Sequence, residues 1–166
     1  MSGAGLAARR TPAAPLPRQR AQERPRPAEL TSVARIQISE ADDDLRLLLR
    51  VRLHRSGHEV IEARDGREAL RQLLHEQVDL ALVEIGLPQL DGHDVLRTVR
   101  DQQPATRPTL VALSGLGDRL RDRGGVREAY VSGADDVITK PFVMDDIVER
   151  VAMHLDERLV VGPPPW

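Results

Sequence analysis

The sequence contains no cysteine. Disulfides, thiolate metal sites and cysteine nucleophiles are therefore excluded. Aromatic residues make up only 2% of the 166 positions, one each of Phe, Tyr and Trp, which leaves no stacking platform for single-stranded nucleic acid. The core must be built from Leu, Val, Ile and Ala, and a hydrophobic content of 40% is enough for one. No run approaches the roughly 20 apolar residues of a membrane span. No apolar segment precedes the first prolines, so a secretory signal is not indicated. The chain reads as one cytoplasmic domain, being too short for two comfortable ones.

What charge there is lies unevenly. The net charge is −2, yet residues 1–33 carry Arg9, Arg10, Arg18, Arg20, Arg24 and Arg26 against Glu23 and Glu29, a net of +4 that leaves −6 for the rest. A basic arm thus precedes an acidic body. It reads as a solvated leader, with nucleic acid, acidic lipid or the body itself as alternative contacts. Pro12, Pro15, Pro17, Pro25 and Pro27 forbid a regular helix there. The ending VGPPPW reads as a second tail. The expected boundaries are 1–32 for the arm, 33–158 for the body and 159–166 for the tail.

Within the body, short apolar runs alternate with helical patterns. VARIQI, HEVIEA, VDLALVE, TLVALS and DDVITK read as strands. DDDLRLLLRVRLHRSG is a helix with acids at its start and bases near its Gly57 stop, as the helix dipole favours. DGREALRQLLHEQ follows the second strand, with Asp65 as N-cap and Glu68 three residues on. DGHDVLRTVRDQQ, a helix ending in REAYVSG, and VMDDIVERVAMHLDERL complete the set. Ile147, Val148, Val151 and Leu155 fall on one side of the last. Five strand–helix pairs predict an α/β fold, a doubly wound five-stranded parallel sheet with helices on both faces. Working groups collect at the carboxyl ends of such strands. Those ends carry Glu40, Glu84, Ser114 and Lys140.

The stretches EADDD (40–44), LVEIGLPQLDG (82–92), ALSG (112–115), SGADD (132–136) and ITKPF (138–142) resemble the receiver domains of bacterial two-component response regulators. The resemblance covers about residues 34–157. It implies a flavodoxin-like sheet in the order 2-1-3-4-5 flanked by five helices. It also implies an aspartate after the third strand that takes a phosphoryl group from a sensor histidine kinase, with magnesium held nearby. In this chain the acceptor position falls on Glu84. The first acidic position falls on Glu40, but the second, normally a direct metal ligand, falls on Ala41. The carbonyl that reaches the metal is that of Gly86. Ser114 and Lys140 stand at the phosphate-contact positions, with the Lys140–Pro141 bond usually cis. The aromatic switch position is Val137, a side chain that either fills the switch pocket permanently or is an ordinary buried strand residue. The loop between Ser114 and SGADD is about four residues longer than usual, so the fourth helix should start or pack differently.

Phosphoryl transfer depends on positioning and charge neutralisation. Glutamate displaces the acceptor oxygens by roughly 1–1.5 Å, an error that costs on the order of a hundredfold in rate. Glu40, Glu84, the Gly86 carbonyl and waters would attract magnesium only weakly without a carboxylate at position 41, and no other cofactor is expected. A one-residue shift of Asp42 into the metal shell is an alternative; helix capping by Asp42, Asp43 and Asp44 is the simpler use. A direct Glu84–Lys140 pair is expected. The function these residues predict is a stand-alone, atypical receiver, not an enzyme, that signals through protein contacts without phosphorylation. A phosphorelay receiver of low efficiency and a small-ligand sensor are the alternatives. Partners are expected on the face of the fourth helix, fifth strand and fifth helix. There Arg119, Arg121, Arg123 and Arg127 could meet Asp135, Asp136, Asp145 and Asp146 of a second copy. No membrane and no specific nucleic acid are expected. His54, His58, His75, His93 and His154 read as surface or helix-end residues. Gln37, in a central strand, needs a partner for its amide or an edge to reach.

Overall fold

The computed structural model describes residues 33–102, 108–115 and 125–160, the last three of these by their backbone alone. Five strands, β1 (Arg35–Ser39), β2 (Glu59–Ala63), β3 (Leu80–Glu84), β4 (Thr109–Ser114) and β5 (Asp136–Thr139), form one parallel sheet in the order β2-β1-β3-β4-β5. The helices described are α1 (Asp43–Arg55), α2 (Gly66–His75), α3 (Gly92–Gln102), α4 (Gly125–Val131) and α5 (Met144–Val160). This is the predicted architecture and strand order. The last helix runs from Met144 to Val160, within one residue at each end of the expected VMDDIVERVAMHLDERL, and the next glycine and proline come at 162 and 163. The basic arm, the proline tail, Arg119, Arg121 and Arg123, and most of the long loop after Ser114 lie outside the described residues.

The strands are covered on both faces, which is why their apolar runs are nearly continuous. Ile36, Ile38, Leu80, Leu82, Val111 and Leu113 face Leu49 and Leu53 of α1 and Ile147, Val151 and Leu155 of α5. The alternate residues Ala81, Val83, Leu110, Ala112 and Val137 face Leu73 of α2, Val95, Leu96 and Val99 of α3 and Ala129 of α4. Val137 thus belongs to this second core layer and is 8% exposed.

Local sequence accounts for the helix starts. Asp42 caps α1 by accepting from Leu45 N–H at 2.8 Å, so its carboxylate is in use as a cap. Asp65 caps α2 by accepting from Arg67 and Glu68 N–H. Glu68 reaches back to the Arg64 N–H, one residue before the cap. Gly66 must be glycine, since a Cβ there would lie 1.8 Å from the Leu90 carbonyl oxygen.

Gln37 finds its partners on α2 and within its own strand. Its Nε2 donates to the Ala69 carbonyl (3.0 Å) and to Gln72 Oε1 (2.9 Å), and its Oε1 accepts from the Ser39 hydroxyl. Gln72 in turn donates to the Glu62 carbonyl. Two of the histidines expected at the surface or at helix ends stand at helix ends and are buried. His58 and His93 are buried, 3% and 5% exposed, and His93 Nδ1 lies 3.2 Å from the Ser132 hydroxyl. His58 follows the end of α1 and His93 lies in the first turn of α3.

Candidate functional site at the carboxyl rim of the sheet

Strand register brings the rim together. Ser39 is level with Val83, Glu84 with Leu113, and Ser114 with Thr139. The residues that leave β1, β3, β4 and β5 at this edge are therefore Glu40, Glu84, Ser114 and Lys140. The Lys140–Pro141 peptide is cis. Lys140 Nζ donates to Glu40 Oε2 at 2.7 Å and to Glu84 Oε1 at 2.8 Å. The other oxygens are also engaged: Glu84 Oε2 accepts from the Ala41 N–H (2.9 Å), and Glu40 Oε1 accepts from the Asp42 N–H (3.1 Å). The Glu40 side chain is 1% exposed, Glu84 18% and Lys140 22%. Ser114 is buried beside them, and Gly86 is exposed on the loop that follows β3. Val137 stands apart, two residues below Thr139 on β5 and in the helix-facing core.

The charges titrate accordingly. Burial pushes the Glu40 carboxyl above its ordinary range, and the Glu84 charge adds to this against the pull of Lys140. Burial acts on Glu84 in the same direction, but the bonds from Lys140 and the Ala41 N–H outweigh it and hold the carboxyl below the usual range. Burial alone would lower Lys140; the two carboxylates overcome it and raise the ammonium pKa. The rim is therefore an ammonium clamped between an easily protonated and a firmly ionised carboxylate.

Magnesium requires several hard oxygen ligands in near-octahedral order. Here each oxygen of Glu40 and Glu84 already accepts a protein hydrogen bond, Ala41 offers no side-chain oxygen, and Asp42 is committed to its cap. Among the described residues no three His, Asp or Glu side chains gather to hold a metal. The residues at the rim do not fit this ion.

Two features were not anticipated from sequence. Arg46, 4% exposed, inserts beneath the rim and donates from Nη1 to the Glu40 carbonyl at 2.8 Å. Its place on the inner face of α1, with Leu49 and Leu53, was the available signal. On the face of α4, β5 and α5, three of the four carboxylates expected to meet a second copy are engaged within the chain. Asp135 binds Arg100 and the Leu110 N–H, Asp136 binds Arg150 and His154, and Asp145 binds Arg52. Among the described residues no helix is long and apolar enough to cross a membrane.

Comparison with known proteins gives the family and agrees with the fold. The response regulator receiver domain family matches residues 36–152. The chain is 37% identical over 119 residues to the virulence transcriptional regulatory protein PhoP of Salmonella typhimurium, covering 70% of this chain and 50% of that protein. It is 34% identical over 162 residues to the transcriptional regulatory protein TrcR of Mycobacterium tuberculosis, covering 84% and 60%. The chain spans about half the length of several curated relatives it matches. Among solved structures, a CheY-like response regulator receiver domain protein from Methanospirillum hungatei superposes with a TM-score of 0.67 at 26% identity, covering 79% of this chain and all of that one.

Proposed function

Because the chain belongs to the response regulator receiver domain family, we propose that it works as a signalling module of two-component type whose contacts with partners do not depend on a phosphorylation cycle. One observation carries the reading: all four carboxylate oxygens at the acceptor rim are already hydrogen-bonded, with Lys140 seated between them. Charge neutralisation that a divalent ion would otherwise supply comes from the ammonium. Glu84 carries one charge and two acceptor oxygens where a phosphoaspartate would carry about two charges and three, so it is a partial and permanent stand-in. In this reading the domain binds rather than catalyses. Its partner surface is the face of α4, β5 and α5, where Tyr130, Val131 and Met153 are exposed.

The test is intact-mass measurement after incubation with magnesium and a small acyl-phosphate donor. We expect no phosphoryl adduct on the chain and a stoichiometric adduct on the Ala41→Asp/Glu84→Asp variant. Stoichiometric phosphorylation of Glu84 itself would overturn the proposal.

A further inference from the structure

Arg46 is a buried cation that no part of the receiver reading uses. Its guanidinium makes four contacts. Nη1 donates to the Glu40 carbonyl (2.8 Å) and more distantly to the Ala41 carbonyl (3.5 Å), Nη2 bonds Asp43, and Nε lies 3.4 Å from Glu62 Oε1 on β2. The Glu40 carbonyl and the Ala41 N–H are the two ends of a single peptide unit. That unit is planar and trans, so its oxygen and its hydrogen point in opposite directions. Fixing the oxygen on Arg46 therefore aims the hydrogen, and the hydrogen is the one that meets Glu84 Oε2 at 2.9 Å. A cation on the carbonyl also polarises the peptide and makes the N–H a stronger donor, as in any hydrogen-bonded chain of low local dielectric.

We infer that Arg46 is the positioning residue of the acceptor rim, holding the Glu40–Ala41 peptide so that its N–H secures Glu84. The path runs from the Glu62 carboxylate through the Arg46 guanidinium and one peptide unit to Glu84, and then through Lys140 back to the Glu40 side chain. The sequence change at position 41 does not interrupt it, because the link uses only backbone. Arg50 makes a useful contrast. It also pairs with Glu62, at 3.3 Å from Oε2, but stands 47% exposed with no bond to the Glu40–Ala41 peptide.

The proposal rests on the reading of Glu84 as a fixed carboxylate, and the two fail differently. A phosphoryl adduct on the unsubstituted chain would defeat that reading, whereas the Arg46 role is read from the Ala41 amide alone. The experiment is amide hydrogen exchange and proton chemical shift by NMR on the full chain and on Arg46→Met, Arg46→Lys and Arg50→Gln. Losing a charge-assisted hydrogen bond in the path should speed Ala41 exchange by about tenfold in Arg46→Met, and move its proton upfield. The Leu82 amide, in the same sheet but off the path, should keep its protection. Arg46→Lys, whose ammonium can reach a single carbonyl, should fall between, and Arg50→Gln should match the unsubstituted chain. Equal loss of protection at Ala41 and Leu82 would reduce Arg46 to a general packing role and overturn the proposal, as would an equal effect from Arg50→Gln. If the Arg46→Met chain does not fold, an Ala41 amide unchanged in Arg46→Lys overturns it.

Discussion

Replacing Lys140 with methionine keeps most of the side-chain volume and removes the ammonium. Glu40 and Glu84 are then left facing each other, 1% and 18% exposed. At an effective dielectric near 20, unit charges held at 2.7 and 2.8 Å attract by roughly 6 kcal/mol each. Desolvation of the three groups offsets several kcal/mol of that, and breaking a buried pair from one side typically costs about 3–5 kcal/mol. With Lys140 22% exposed, the lower end, about 3 kcal/mol, is the expectation at pH 7. The loss should also depend on pH. Without the ammonium, Glu40, whose pKa already lies above its ordinary 4.5, shifts further upward. A carboxyl raised in the folded state binds its proton more tightly there than in the unfolded chain. The penalty is thus smallest where Glu40 is relieved by protonation, and grows as pH rises through its folded pKa. Urea unfolding at pH 5, 7 and 8 measures this directly. Adding Glu40→Gln to Lys140→Met should recover most of the loss and flatten its pH dependence. A destabilisation below about 1 kcal/mol that is flat with pH would refute the claim that the ammonium holds the two carboxylates together.

Other perturbations test separate parts of the fold. His58 is buried and its pKa is lowered by burial. Its unfolded form takes up a proton first, so stability should be fully present above about pH 6.5 and decline as pH falls towards the folded pKa; His58→Leu should remove that part of the decline in urea titrations. Gly66→Ala would place a Cβ 1.8 Å from the Leu90 carbonyl oxygen; it should cost about 1–3 kcal/mol and shift the amide resonances of residues 86–91. Gln72→Leu leaves Gln37 Nε2 with the Ala69 carbonyl as its one remaining acceptor and removes the Gln72 donor from the Glu62 carbonyl. It should cost about 1–3 kcal/mol, and Gln37→Val in the same chain should lessen rather than add to the loss.

Fold class and the membership of the rim were legible because they rest on local patterns, whereas the strand order followed from the family resemblance. Apolar strands of four to six residues between amphipathic helices leave few topologies open. Parallel strands then place their carboxyl-terminal neighbours at one edge, which names Glu40, Glu84, Ser114 and Lys140 without coordinates. Asp42 and Asp65 announce their helices through capping chemistry that reaches only three residues.

The chain order could not reveal which atoms face each other across long separations. Lys140 meets Glu40 one hundred positions away in sequence, and its choice of both carboxylates rather than one follows from strand register and side-chain length together. Arg46 shares the apolar side of α1 with Leu49 and Leu53, but its charge and that of His58 favour the surface, and only the packed structure shows both to be buried. Gln37 looked like a liability until α2 supplied a carbonyl and an amide above it. The alternation of apolar and polar residues thus determined the scaffold, since burial of a face follows from spacing alone. Only the packed structure decided the bonding at the rim, because hydrogen bonds depend on ångström-scale distances between side chains that no spacing along the chain encodes.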